Sequence, residues 1–228
     1  MDSGAVWLTL RLAGLTTLLL LAIALPLAWW ITSSRSFGRA LTQAVVALPL
    51  VLPPTVIGFY LLVGLGPLTS MGRAISHVLG HTLAFSFLGL LVGSLLYSLP
   101  FAVQPLVSGL QAIDRVYFEA ASLLGASPFT VFRTVALPLA RPAIVTAAVL
   151  SFTHTVGEFG VVLMLGGNIP GVTRTLSIAL FDQVEDGRYA EANHTALVLI
   201  GFALFALLLI YGRTARLSGG KRFGETAV

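Results

Sequence analysis

The feature that most constrains this chain is the length of its charge-free runs. No Asp, Glu, Lys or Arg occurs in the 23 residues between Arg11 and Arg35, the 33 between Arg39 and Arg73, the 40 between Arg73 and Asp114, or the 21 between Glu191 and Arg213. A fifth run of 16 separates Arg141 from Glu158, and apolar residues resume as far as Leu165. A helix needs roughly 20 mostly apolar residues to cross a bilayer. The runs therefore predict an all-α membrane protein with about five spans, at 8–31, 42–65, 83–105, 143–165 and 194–212. Charged residues are only 10% of the 228, against roughly 25% in soluble domains. So few charges cannot cover a soluble surface, which excludes a soluble enzyme. The absence of Cys excludes thiolate metal sites and thiol catalysis. Pro26, Pro49, Pro53, Pro54, Pro100 and Pro105 fall in or near the spans, where neighbouring helices can satisfy the backbone groups they free. The first run reads as a span, not a cleaved signal. It is too long, and it lacks a small-x-small site before Arg35.

Orientation follows from the 13 basic residues. Five spans divide them into two sets. Arg35, Arg39, Arg115, Arg133, Arg141, Arg213, Arg216, Lys221 and Arg222 lie on one side, and Arg11, Arg73, Arg174 and Arg188 on the other. The positive-inside rule places the nine in the cytoplasm. The N-terminus is then outside and the C-terminus cytoplasmic. Segment 106–142 faces the cytoplasm and 166–191 the exterior. The charges are too dispersed for nucleic acid. No internal repeat of the kind found in inverted-repeat carriers is visible. Gly89 and Gly93 form a small-xxx-small pair, read as packing within one subunit.

Segment 106–142 is the most informative. Asp114 is placed to cap a short helix over 115–124, with Val116, Ala120, Leu123 and Leu124 on one face. Gly125 ends it. Ser127-Pro128 reads as cap and first residue of a second helix, and Pro138 and Pro142 mark the return to the membrane. This is a helix–turn–helix tied at both ends to spans.

Glu119-Ala120-Ala121, Gly125, Val135, Leu137 and Pro138 match the pattern E-A-A-x3-G-x9-I-x-L-P of ABC importer permeases, with Val135 replacing Ile. Leu48 to Gly58, Gly157-Glu158-Phe159-Gly160 and Asn168 to Thr175 resemble the molybdate permease family. Sulfate permeases share much of this pattern but tend to carry Tyr where this chain has Phe159. The resemblance implies a type I ABC importer permease fold, with residues 1–228 forming a single transmembrane permease domain and 106–142 an ATPase-coupling segment. It implies a homodimer in a bacterial or archaeal plasma (inner) membrane. It further implies a cytoplasmic ABC ATPase dimer that binds the coupling residues and an extracytoplasmic oxyanion-binding protein that delivers molybdate or tungstate. No G-x4-G-K-[ST] loop occurs in the sequence. The chain is therefore expected to be a translocation subunit without cofactor or metal, ATP and Mg being bound by the partner ATPase. The alternatives are a sulfate or thiosulfate permease and, from another class, a proton-coupled carrier using His154 and Glu158.

The gate and translocation path are expected around His154, Gly157, Glu158, Phe159, Gly160 and Arg174. Glu158, about 24 Å along a helix from Pro142, is an intramembrane acid. Such an acid marks either a functional site or a buried structural tie. A lone carboxylate would repel an oxyanion, which favours the tie. His154 lies one helical turn before it and is read as its partner. Members of the resembled family often carry Arg there, so His154 substitutes a cation that titrates near neutrality. Arg174 either attracts an anion at the outer mouth or pairs with an acid. The acidic stretch Asp182, Glu185, Asp186 and Glu191 is either a binding-protein contact or a solvated loop. His77 and His81 lack the further ligands that a metal needs.

Overall fold

The computed structural model describes residues 2–33 and 37–218, with the side chains of 211 and 213–218 left aside. Within these residues every regular element is helical. Three helices are long and apolar enough to cross a membrane: α1 (Ser3–Ser33), α5 (Phe87–Gln111) and α12 (Tyr189–Ser218). The predicted second span is two helices, α2 (Phe37–Val51) and α3 (Pro54–Leu65), bent by 109°. The tandem Pro53-Pro54 explains the break. Neither ring offers an N–H to the preceding turn, and Pro54 sits in the first turn of α3, where none is required. The predicted fourth span is also broken. The chain runs through α7 (Pro128–Val131), a π-helical turn at Phe132–Ala136, α8 (Leu137–Leu139), α9 (Arg141–Gly157) and α10 (Gly160–Gly166). The α7–α8 stretch meets α9 at 72°. Counting each bent pair as one crossing gives five spans.

The π turn has a local cause. Pro138 cannot donate to the carbonyl of Thr134 and crowds it. The helix widens one turn earlier, and Leu137 N–H bonds to Phe132 O, five residues back. Nothing so local breaks the chain at Glu158. There α9 ends, Glu158 turns extended (φ −67°, ψ 135°), and α10 begins at Gly160. The cause is tertiary. A methyl group at Gly160 would meet Pro54 Cβ at 2.8 Å, and one at Gly58 would meet Met164 Cβ at 2.7 Å. Gly93 of α5 approaches Val161 and Leu165 in the same way. Three glycines thus seat α10 between α3 and α5, at an angle that a straight continuation of α9 does not reach. Gly93 is in this way used for packing within the subunit, as expected.

The core lies between α1, α5 and α9, where Leu20, Ala24, Ala28, Val103, Leu106 and Ala147 are buried together. The alanines let these helices approach closely. By contrast α12, packed on α9 and α11, has only 11% of its apolar window buried, against 50% for α5. Its apolar surface is left open to lipid, as are exposed apolar residues of α1 and α2 such as Leu18, Val45 and Val51. Arg11 falls within α1, which begins earlier than predicted, and its guanidinium lies 4.5 Å over the Phe87 ring. Helix α5 continues to Gln111, so 106–111 is a helical continuation of that span and not a loop.

Two further helices lie outside the five predicted spans. Ser70–Leu79 (α4) is capped by Thr69 and closed by Gly80 at φ 74°. Leu176–Glu185 (α11) is capped by Thr175 and buries Leu176, Ile178 and Ala179 against α1 and its neighbours. The first half of α11 is therefore packed into the protein, while Glu185, Asp186 and Glu191 of the acidic stretch stay exposed. Thr9 of α1 accepts a hydrogen bond from Leu176 N (2.9 Å), pinning the start of α11. The Arg35, Lys221 and Arg222 expectations lie outside the described residues.

Candidate translocation cavity and coupling helix

The α9–α10 break opens a cavity of about 630 Å³, lined by α3, α5, α9 and α10. It brings together His154, Gly157, Glu158, Phe159 and Gly160, as the sequence grouped them, and adds Tyr97, Phe101, Pro54 and Thr55, which the sequence did not suggest. Alternating polar and aromatic residues along α5 were the available signal, obscured because α5 reads as uniformly apolar. Arg174 does not line this cavity. Its Nε donates to Asn168 Oδ1 (2.7 Å) and its guanidinium lies 3.5 Å from Asp182, which also accepts from Asn168 Nδ2. Of the two readings of Arg174, the pairing with an acid is the one seen.

His154 and Glu158 do not pair as predicted. The helix that would have stacked them ends at Gly157, and no ion pair joins them among the described residues. The His154 ring stacks on Phe101 (centroids 3.9 Å, 23° apart) with Tyr97 at 5.0 Å. Its Nδ1 lies 2.9 Å from Ser98 Oγ, and Ser98 Oγ lies 3.1 Å from Thr155 Oγ1. Glu158 is 4% exposed, and neither carboxyl oxygen has a hydrogen-bond partner among the described residues. Ser94 is the hydroxyl beside it. Phe159 leans on Phe181 of α11 (5.1 Å), so the junction is coupled to that helix as well.

The second candidate site lies far along the chain. Asp114 Oδ1 accepts from Val116 N (3.1 Å) and starts α6 (Arg115–Leu123). Gly125, at φ 76°, ends it with its N–H on Ser122 O. Ser127 caps α7 through Thr130 N (3.2 Å). These local expectations are met, with α6 one residue shorter than predicted. Glu119, Ala120 and Gly125 are exposed, Ala121 is half-buried, and Val135, Leu137 and Pro138 are half-buried around the π turn. Leu123 and Leu124 are 89% and 88% exposed, an unusual position for two leucines at a helix end. Phe118 on the opposite face lies 6.0 Å from Trp29 of α1, and Phe132 lies 5.4 Å from the same ring. This aromatic tether was not anticipated. It fixes α6 and the π turn to a membrane helix.

A bundle of broken and unbroken apolar helices, carrying a capped helix pair braced on its end, belongs to the membrane-embedded permeases of transport systems. Residues 19–219 match the family described as binding-protein-dependent transport system inner membrane component, and the chain belongs to that family. It is a multi-pass inner-membrane transport subunit, not a catalytic one. It is 52% identical over 210 residues to the molybdenum transport system permease protein ModB of Azotobacter vinelandii, covering 92% of this chain and 93% of the relative. It is 35% identical over 206 residues to the protein of that name from Escherichia coli K12, covering 90% of each. The fold matches the crystal structure of a bacterial alginate ABC transporter in complex with an alginate pentasaccharide-bound periplasmic protein. That match has a TM-score of 0.71 at 20% identity, over 99% of this chain and 80% of the other.

Proposed function

We propose that this chain is the permease subunit of an ATP-driven importer for molybdate, with tungstate as an alternative cargo of the same geometry. The observation that carries this is 52% identity along 92% of the chain to a molybdenum permease. Two copies form the pathway, and the cavity at the α9–α10 break belongs to it. An external binding protein delivers the anion and supplies most of the selectivity. Helix α6 is the contact for the cytoplasmic ATPase. Its exposed Leu123, Leu124 and Ala120 face the partner, while Phe118 holds the helix to α1. ATP and Mg are bound by that partner. Closure of the ATPases pushes α6, and the Trp29–Phe132 contact carries the movement into α1 and, through the π turn, into α9. N-terminus outside and C-terminus cytoplasmic is the orientation consistent with this arrangement.

The test is reconstitution of the chain with its ATPase and binding protein in liposomes. ATP-dependent uptake of molybdate is expected, inhibited by tungstate and not by equimolar sulfate. Sulfate uptake with no molybdate uptake would replace the reading with a sulfate permease.

A further inference from the structure

We propose that His154 is the residue through which the cavity at the α9–α10 break holds a tetrahedral oxyanion, and that it does so only with Nε2 protonated. Anion occupancy then takes up one proton at that nitrogen. The proposal rests on the oxyanion-import reading above and deepens it.

The argument follows the protons along a buried chain of hydroxyls. Thr155 Oγ1 donates to the Ser151 carbonyl at 2.9 Å, so its single proton is committed. In the 3.1 Å contact between the two hydroxyls, Ser98 must therefore be the donor. Ser98 then has no proton left for the imidazole, and in the 2.9 Å contact His154 Nδ1–H donates to Ser98 Oγ. Ser98 and Thr155 are both buried, so water does not relieve this order. The relay fixes the tautomer. A neutral His154 carries its hydrogen on Nδ1 and leaves Nε2 as a bare lone pair. Phe101 holds the plane of the ring, and a ring turned over in that plane would give up the bond to Ser98.

A bare Nε2 repels an oxyanion, whereas a protonated one is a charge-assisted donor. The other titratable groups on this cavity are Tyr97 from α5 and Glu158 from the junction, and α3 and α10 contribute none. Helices α1, α11 and α12, which also pack on α9, place no residue on the lining. Glu158 is nearly fully buried, both carboxyl oxygens included, so it does not reach a ligand in the cavity. Tyr97 and Thr55 also line this otherwise largely apolar cavity, so His154 is the one lining side chain that can bring a positive charge to an anion.

The chain has four histidines, and His77, His81 and His194 are exposed. Replacing these three by Gln leaves His154 as the only imidazole without touching the core. The full-length triple variant, labelled with ¹⁵N-histidine and assembled with unlabelled partner subunits in nanodiscs, is measured by NMR. In the neutral ring the hydrogen is expected on Nδ1, and Ser98→Ala should release it to a mixture of tautomers. At fixed pH near 6, saturating sodium molybdate, tungstate or sulfate should raise the ratio of charged to neutral His154. The rise equals the anion's preference for the charged ring, about tenfold if that preference is about 1.4 kcal/mol. Sodium chloride at matched ionic strength should not. A neutral ring protonated on Nε2, an unchanged ratio with all three oxyanions, or an equal response to chloride overturns the proposal. A rise with sulfate alone keeps it and overturns the molybdate reading instead.

Discussion

His154 and Glu158 share a cavity but not a partner. His154 is held by Ser98 and the Phe101 ring, while the Glu158 carboxyl sits beside Ser94 without a hydrogen bond. If the two were a buried ion pair, removing one side would cost about 3–5 kcal/mol and removing both would recover much of it. With separate partners the effects should instead add. His154→Leu together with Glu158→Gln is expected to show no recovery over the less stable single variant, read from thermal melting of the assembled transporter. Recovery of assembly in the double variant would restore the pairing. The one-turn spacing misled because it presumed that α9 continues through Glu158. Gly157 and Gly160 flank the break in the sequence, but two glycines in an apolar run equally signal close packing. By contrast the caps at Asp114 and Ser127 and the Gly125 terminus were legible, because each depends on one side chain or one φ angle and its nearest neighbours.

At the scale of elements, α10 owes its position to glycines that admit other helices. Gly160→Val places a branched side chain where Pro54 already lies 2.8 Å from a Cβ. Overpacking of this kind typically costs about 1–3 kcal/mol, and the rigid ring of Pro54 and the backbone of Thr55 leave little room to yield. Gly201, on the exposed face of α12, has nothing within 4 Å of an added Cβ. Gly201→Ala should stabilise by about 0.5–1 kcal/mol through the helix propensity of alanine. Opposite shifts in the melting temperature of the two variants are the expected result, and a neutral Gly160→Val would remove the wedge account of the break. Helix α6 has its own weak point. Gly125 is at φ 76°, where a β-branched residue is strained, yet it has open space around it. Gly125→Val should fray the end of α6 and weaken ATPase binding, while membrane insertion stays normal. Unchanged ATPase-coupled uptake would remove α6 from the coupling role. The docking motif was readable because it is contiguous and local. The Trp29–Phe118–Phe132 tether was not, since it joins residues 89 positions apart or more, and aromatic residues in apolar runs carry no mark of their partner.

For the whole molecule, the bent pairs decide how many times the chain crosses. Charge-free runs gave the number of apolar segments but not their shape. The α2–α3 bend of 109° and the α8–α9 bend of 72° leave open whether each pair crosses or dips and returns. The basic residues discriminate between these cases. If only α1, α5 and α12 cross, seven Lys and Arg fall on one side and six on the other, with no inside bias. If both pairs cross as well, the split is nine against four, the asymmetry expected of an inserted protein. If one pair crosses and the other does not, the count is even and both termini lie on the same side. A reporter active only in the cytoplasm should therefore work when fused after Val228 and fail when fused before Met1. Termini on one side would mean that one bent pair is re-entrant. To separate five crossings from three, a single Cys is introduced at Arg73, in exposed α4, and at Leu124, at the C-terminal end of α6. Five crossings place position 73 outside and 124 inside, so a membrane-impermeant maleimide should label the first and not the second in intact cells. Three crossings reverse both results, and would turn α6 away from any cytoplasmic ATPase.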